Sequence, residues 1–285
     1  MSESSSLMLP SFLEIWQNTL NWSPTEPQQA LFQSLLTELS ILNAGVNLTR
    51  ITSPEAFWEK HLWDSLWGIQ PWLNAHLNPL RVIDVGTGGG FPGIPVAIAA
   101  HQESAVYPES TAHEVSDQPL WQVTLLDSTR KKITCLETLC HALSLVNAHP
   151  VCDRAEILAR NKGDRASYDM ALIRAVGPVS SCAEYTLPFL TVGGTAIIYR
   201  GQWSLEEEQA LQKALLQLGG ELTEVRNTTT PLTQAQRHCL SVQKVKPTPG
   251  TFPRKVGLPT QYPLGIELLV PATDGSRVAG NNEVD

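Results

Sequence analysis

Val82-Ile83-Asp84-Val85-Gly86-Thr87-Gly88-Gly89-Gly90-Phe91-Pro92-Gly93 decides the fold. It begins as a short apolar strand, passes into a glycine-rich turn, and continues as a helix with Pro92 and Pro95 near its start. The glycines remove the Cβ atoms that would keep a ligand away from the backbone. Such a loop at the C-terminal edge of a parallel strand is where open α/β sheets bind nucleotides. Gly88, Gly90 and Gly93 fit the spacing G-x-G-x-x-G, a weak signal by itself.

Two acids narrow the ligand. Asp84 stands two residues before the first glycine, where a carboxylate orients the loop, attracts a cation and disfavours a pyrophosphate. S-adenosyl-L-methionine carries a sulfonium and an ammonium, whereas NAD carries two phosphates, so the former is the expected cofactor. Asp127 ends the next strand, 123–126, where an acid accepts hydrogen bonds from ribose hydroxyls. It lies 41 residues beyond Gly86, against roughly 20 in dinucleotide folds. A polar, aperiodic insertion of 19 residues at 102–120 accounts for almost all of the excess. Plainer readings stand beside these: Asp84 as a turn cap, and Asp127 as the N-cap of a helix over 129–143.

Outward from this stretch, short apolar strands alternate with helices. Strands are expected at 81–85, 123–126, 148–151, 168–174, 195–199, 222–225 and 240–245. Ser204 and Glu207 form a capping box at the start of a further helix. The alternation predicts a mainly parallel sheet covered on both faces. Upstream, residues 11–43 read as two amphipathic helices broken at Pro24–Pro27. Ser53-Pro54-Glu55 opens a third helix, carrying Trp58, Trp63 and Trp67 as core residues. The organisation expected is a helical region over 1–75 packed on the main fold, a catalytic domain over 76–270 and a disordered tail over 271–285.

Composition bounds the function. With 42% hydrophobic and 17% charged residues the chain is a globular protein, with neither a run of 18 apolar residues nor a signal-like N-terminus, so no membrane is expected. Five cysteines without a Cys-x-x-Cys pair argue against a zinc site or a disulfide framework and fit a reducing cytoplasm. The net charge of −8 hides an asymmetry. Residues 1–49 hold four acids and no Lys or Arg, whereas 225–266 hold six bases and no acid. That basic end can meet nucleic acid or be a solvated face.

Several segments in one order resemble the RsmG (GidB) family of bacterial 16S rRNA guanine-N7 methyltransferases. They are Asn47–Ile51, His61-Leu62-Trp63-Asp64-Ser65, the glycine loop Asp84–Pro95, Leu125-Leu126-Asp127-Ser128, Ile173-Arg174-Ala175, Arg237-His238 and Phe252-Pro253-Arg254-Lys255-Val256-Gly257. The resemblance spans roughly residues 25 to 265. It implies an α/β, Rossmann-like class I S-adenosylmethionine-dependent methyltransferase with a mainly parallel seven-stranded sheet and an N-terminal helical extension. By resemblance, Gly86 and Phe91 meet the cofactor with Asp84, Gly88, Asp127 and Ser128. Ala155 and Glu156 stand at the adenine end, and Arg174 lines the site, aligning reactants rather than moving protons. With Arg174, His61 and Asp64 are the candidate catalytic residues, placed around the RNA or the active-site rim, and Arg200, Arg237, His238, Arg254 and Lys255 are placed on the RNA. The partner implied is 16S rRNA or a small-subunit precursor. The sequence departs from the family in its long insertion and in Arg200-Gly201, where many members have Lys-Gly. Arg174 also admits a structural reading, as an ion pair with Asp84 or Asp169, and Ala155-Glu156 as an ordinary helix start.

Guanine N7 offers a lone pair in its neutral form, so the implied reaction is an in-line displacement that requires no general base and no metal. Alignment supplies most of the acceleration. Two other readings remain open on the sequence: an NAD(P)-dependent oxidoreductase, and a non-catalytic RNA-binding adaptor on a methyltransferase-like fold.

Overall fold

The computed structural model describes residues 7–43, 45, 48–51, 53–74, 80–100 and 121–266. The insertion at 102–120 and the tail at 271–285 lie outside the described residues. Strands β1 (Leu80–Val85), β2 (Trp121–Asp127), β3 (Ala148–Cys152), β4 (Tyr168–Arg174), β5 (Leu190–Arg200), β6 (Gly220–Thr229) and β7 (Gln236–Lys244) form one sheet in the order β3-β2-β1-β4-β5-β7-β6. The pairings among β1 to β5 are parallel, and β7 runs antiparallel to both β5 and β6. Strand order reverses at β1, so a crevice opens above its C-terminal end. This is the topology of a class I S-adenosylmethionine-dependent methyltransferase.

The helices are α1 (Leu13–Leu20), α2 (Glu26–Asn43), α3 (Pro54–Phe57), α4 (Asp64–Gly68), α5 (Gly93–Ala99), α6 (Arg130–Ala142), α7 (Ala155–Leu158), α8 (Val179–Thr186), α9 (Leu205–Leu218) and α10 (Leu258–Gln261), with a π-helical segment at Trp58–Trp63 joining α3 to α4. Alternate strand residues face opposite layers. Met170 and Leu172 of β4 join the core shared with α1, α2 and the tryptophans, whereas Ala171 and Ile173 join the core under α8 and α9. Trp58 and Trp63 are core residues, as expected, each 1% exposed. Trp16 meets Trp58 edge-on at 4.8 Å between ring centroids. No helix among the described residues is long and apolar enough to cross a membrane.

The third expected helix begins as its cap predicts: Ala56 N–H donates to Ser53 Oγ at 3.2 Å. Its middle is π-helical, which a 3.6-residue periodicity does not reveal. Five of the six residues in that segment are buried, and the segment together with α4 holds the β5, β6 and β7 side of the sheet. Glu59, fully buried, accepts the N–H groups of Leu232 (2.6 Å) and Thr233 (2.9 Å) and so caps the β6–β7 hairpin. Further on, the Tyr199 hydroxyl of β5 donates to the Ser65 carbonyl at 2.7 Å. Gly68 permits that approach, since a Cβ there would lie 2.2 Å from the Tyr199 ring. Arg226 of β6 donates to the Gly68 carbonyl at 2.7 Å.

A C-terminal strap, residues 246–262, returns across the other layer. Arg165 donates to the carbonyls of Phe252 and Thr248, each at 2.9 Å. Arg160 reaches the Pro253 carbonyl. Ser181 Oγ on α8 donates to the Pro259 carbonyl at 2.6 Å.

Candidate active site

An open cleft of about 210 Å³ lies at the C-terminal ends of β1, β2 and β3. Gly86 forms its floor, Asp127 and Ser128 its β2 end, and the run from Asp153 to Glu156 its β3 end, while Tyr185 and Thr260 make the far wall. Asp127 does two structural tasks here. Its Oδ1 accepts Thr129 N–H at 2.8 Å, at the start of α6, and its Oδ2 accepts Gly88 N–H at 3.1 Å, tying β2 to the glycine loop. Lys132 Nζ also approaches Oδ2, at 3.5 Å. A carboxylate has about four acceptor positions, so Asp127, which lines the cleft, keeps some capacity beyond these three partners.

Asp84 works from behind the loop. It is fully buried and does not line the cleft. Its Oδ2 accepts the Thr87 hydroxyl at 2.6 Å and Gly93 N–H at 2.8 Å, while Oδ1 has no hydrogen-bond partner. Burial pushes its carboxyl up to about 6, against the lowering effect of those two hydrogen bonds. These hydrogen bonds are those of a turn cap: the Asp84 side chain holds the loop from within and does not face the cleft. Gly88 and Phe91 are likewise not among the cleft's lining residues.

Phe91 belongs to a second cluster on the other side of the same loop. His61 stacks on its ring at 4.0 Å with an interplanar angle of 10°. The Arg174 guanidinium lies 5.9 Å from the ring centroid. Arg174 donates to Asp64 Oδ2 at 3.0 Å and to the Lys60 carbonyl at 2.9 Å. Arg237 of β7 donates to Asp64 Oδ1 at 2.9 Å. Asp64 is thus a bridge between β4 and β7, and the ion pair expected of Arg174 with Asp84 or Asp169 is instead made with Asp64. His61 Nε2 bonds the Thr49 hydroxyl at 2.7 Å. Burial, aided by the positive charges of Arg174 and Lys60, pulls the imidazole down to about 3. It is neutral near pH 7 and has no usable basicity.

The sequence profile of the rRNA small subunit methyltransferase G family matches residues 28–116 and 117–240. The chain belongs to this family. A relative named ribosomal RNA small subunit methyltransferase G from Trichormus variabilis is 51% identical over 260 residues, covering 90% of this chain and 99% of the relative. One of the same name from Synechococcus elongatus is 48% identical over 250 residues, covering 88% and 96%. Membership of the methyltransferase G family sets aside the oxidoreductase and adaptor readings, and the cofactor is S-adenosyl-L-methionine. The donor set of the cleft fits it: bare backbone at Gly86, and carboxylates at the β2 and β3 ends where a nucleoside's hydroxyls and amine need acceptors.

Other family-derived positions fall in differing surroundings. Ala155 and Glu156 line the cleft, but the Glu156 carboxylate is 2% exposed and gripped by Arg154 at 2.8 and 3.2 Å and by Gly257 N–H at 2.9 Å. Arg200 pairs with Glu207 and donates to the Gly177 carbonyl at 3.0 Å. His238 bonds the Gly201 carbonyl at 3.0 Å. Arg254 departs from expectation. Its Nε and Nη2 hold the buried Glu184 carboxylate at 3.0 and 2.7 Å, so it anchors the strap and is not a free phosphate ligand. Lys255 beside it is exposed. Sequence reasoning missed Asp153, Tyr185 and Thr260. Asp153 had a signal, an acid just past the weak third strand; Thr260, in a stretch assigned to RNA, had none.

His61 and Asp84 give opposite pH dependences. The folded-state pKa of His61 lies below its ordinary 6.5, so its stabilising effect is present above that pH and is lost on acidification toward 3. Asp84 is raised from 3.8, so its contribution is greatest below 3.8 and is lost as pH rises through about 6. Between pH 7 and pH 5, His61→Asn should relieve roughly 2 kcal/mol of the acid destabilisation, and Asp84→Asn should change the slope in the opposite sense. Urea unfolding at both pH values measures this. Parallel pH slopes for wild type and His61→Asn would contradict the buried, neutral imidazole.

Proposed function

We propose that this chain transfers the methyl group of S-adenosyl-L-methionine to N7 of a guanine in 16S rRNA, as free RNA or within a small-subunit precursor, in the cytoplasm. The observation that carries this reading is the glycine loop with two faces. Gly86 opens on the cleft, and Phe91 on the other side carries His61 and Arg174. When bound, the cofactor supplies a methyl carbon activated by its sulfonium. Gly86 and Ser128 receive it, Asp127 accepts from the ribose, and Ala155 and Glu156 flank the adenine end. The backbone around Glu156 makes that contact, because its carboxylate is already engaged.

The guanine lies on the cluster side. Positive charge develops on the purine as N7 is alkylated, so nearby cations must be compensated. Asp64 does this for Arg174 and Arg237 together. His61 positions Phe91 and exchanges no proton, which matches a nucleophile that has none to lose. Guanine N7 is inaccessible in the narrow major groove of A-form RNA, so the target lies in an irregular or single-stranded segment. Arg200, Arg237, His238 and Lys255 contribute to the RNA-facing rim, while 1–75 buttress the catalytic body of 76–270.

The test is transfer of labelled methyl from S-adenosyl-L-methionine to 16S rRNA and to precursor particles, with nucleoside analysis. Label in 7-methylguanosine is expected; label in any other nucleoside, or none, overturns the proposal. The two neighbouring basic residues of the strap should separate. Lys255→Gln should flatten the salt dependence of RNA binding by about one unit of log–log slope. Arg254→Gln should leave the slope nearly unchanged and lower the unfolding midpoint, because it strips a buried carboxylate of its partner.

A further inference from the structure

The strap that closes the protein also reaches the cleft. Thr260, on α10, forms part of the far wall, and its hydroxyl shares a 2.8 Å hydrogen bond with the Tyr185 hydroxyl of α8. One shared hydrogen bond uses one of the two hydroxyl protons and leaves the pair a second proton and spare lone pairs. Tyr185 is 4% exposed, so its free capacity is presented to the cleft and little else. Burial pushes the Tyr185 phenol above its usual range, with smaller effects from the charges of Glu156 and Arg154. The pair lines the same cleft as the run from Asp153 to Glu156 at the β3 end. The strap is fastened at that end too, through Gly257 N–H on Glu156.

Strand order fixes which part of a nucleoside lies there. β2 is the neighbour of β1, and β3 lies beyond it. A ribose held at Asp127, on β2, with the reactive tail at the β1 loop leaves the base directed outward, over β3. We propose that Thr260 and Tyr185 are cofactor-positioning residues that bind the polar edge of the adenine, making the C-terminal strap a wall of the cofactor site. This rests on the cofactor reading given above.

Isothermal calorimetry with two ligands tests it: S-adenosylhomocysteine, and 5′-deoxy-5′-methylthioadenosine, which keeps the nucleoside and lacks the amino-acid end. In Thr260→Val and in Tyr185→Phe, both ligands should weaken about tenfold, as expected for one lost hydrogen bond. The double variant should weaken little further, because the hydroxyls act as a pair. Tryptic cleavage after exposed Lys255 should be slowed by S-adenosylhomocysteine in the wild type and much less in Thr260→Val. Affinities within twofold of wild type for both ligands would overturn the proposal. So would a loss confined to S-adenosylhomocysteine, which would put the contact at the amino-acid end. If Tyr185→Phe does not fold, the near-isosteric Thr260→Val decides alone. A wild-type protein that binds neither ligand refutes the cofactor reading itself, a distinct outcome.

Discussion

Gly86→Val abolishes cofactor binding while the protein stays folded; a loss of at least 100-fold in S-adenosylhomocysteine affinity is expected. Two effects combine at this position. Gly86 has φ of +75°, a conformation that costs an L-residue roughly 1–2 kcal/mol. A Cβ there would also lie 2.8 Å from Val176 Cγ2, so either the loop or Val176 shifts, both of them at the cleft. Gly88, at φ of +60°, carries a similar backbone cost but is the gentler position, because a Cβ there meets nothing closer than 3.9 Å and the residue does not line the cleft. Calorimetry on both variants, with circular dichroism as a check on folding, should rank Gly86→Val as far more damaging than Gly88→Ala. The reverse order would mean that the ligand sits elsewhere on the loop.

Asp64→Asn should be the most destabilising single change at the site. Asp64 is 6% exposed and neutralises two guanidiniums at once. The amide keeps one acceptor and turns a donor toward the other arginine. Leaving a buried charge without its partner costs about 3–5 kcal/mol, reduced toward the lower end here because both arginine side chains keep some solvent contact. Adding Arg237→Gln should recover part of the loss, giving a coupling energy of about 1–3 kcal/mol in a double-mutant cycle. Methyl transfer should fall more steeply than cofactor affinity, since the cluster faces the base and the cleft faces the nucleoside. Strict additivity would show that the bridge carries no energy.

Much of the fold is written locally in the chain. The centres of β1, β2 and β4 are largely buried and rich in apolar residues (Val82-Ile83, Leu125-Leu126, Met170–Ile173), so their positions follow from sequence. β6 does not: it is an edge strand with ten residues, none of them fully buried, and only its centre stands out. The start of β5 was hidden by Gly193-Gly194, where its pairing with β4 shifts register before becoming regular. The cofactor loop was legible because glycines and acids sit within a few residues of one another. The second cluster was legible only through resemblance, since Asp64 and Arg174 are 110 residues apart and no local pattern joins them. Arg254 shows the converse. A run of bases suggested a nucleic-acid surface, yet its counter-charge, Glu184, comes from a helix 70 positions earlier.

The π-helical segment at Trp58–Trp63 stores a spare residue of chain between α3 and α4. Each α-helical residue advances a helix by about 100°, and the wider π turn takes up roughly one extra residue without rotating its flanks against each other. Glu59 and Asp64 are thereby kept on one face, where the first holds the β6–β7 hairpin and the second its two arginines. Removing Lys60, the exposed residue of the segment, would let it relax to α geometry with both contacts still in register, whereas one added residue would turn the Ser53 end by about 100° against Asp64. Methyl transfer should therefore survive the deletion of Lys60 far better than the insertion of an alanine beside it.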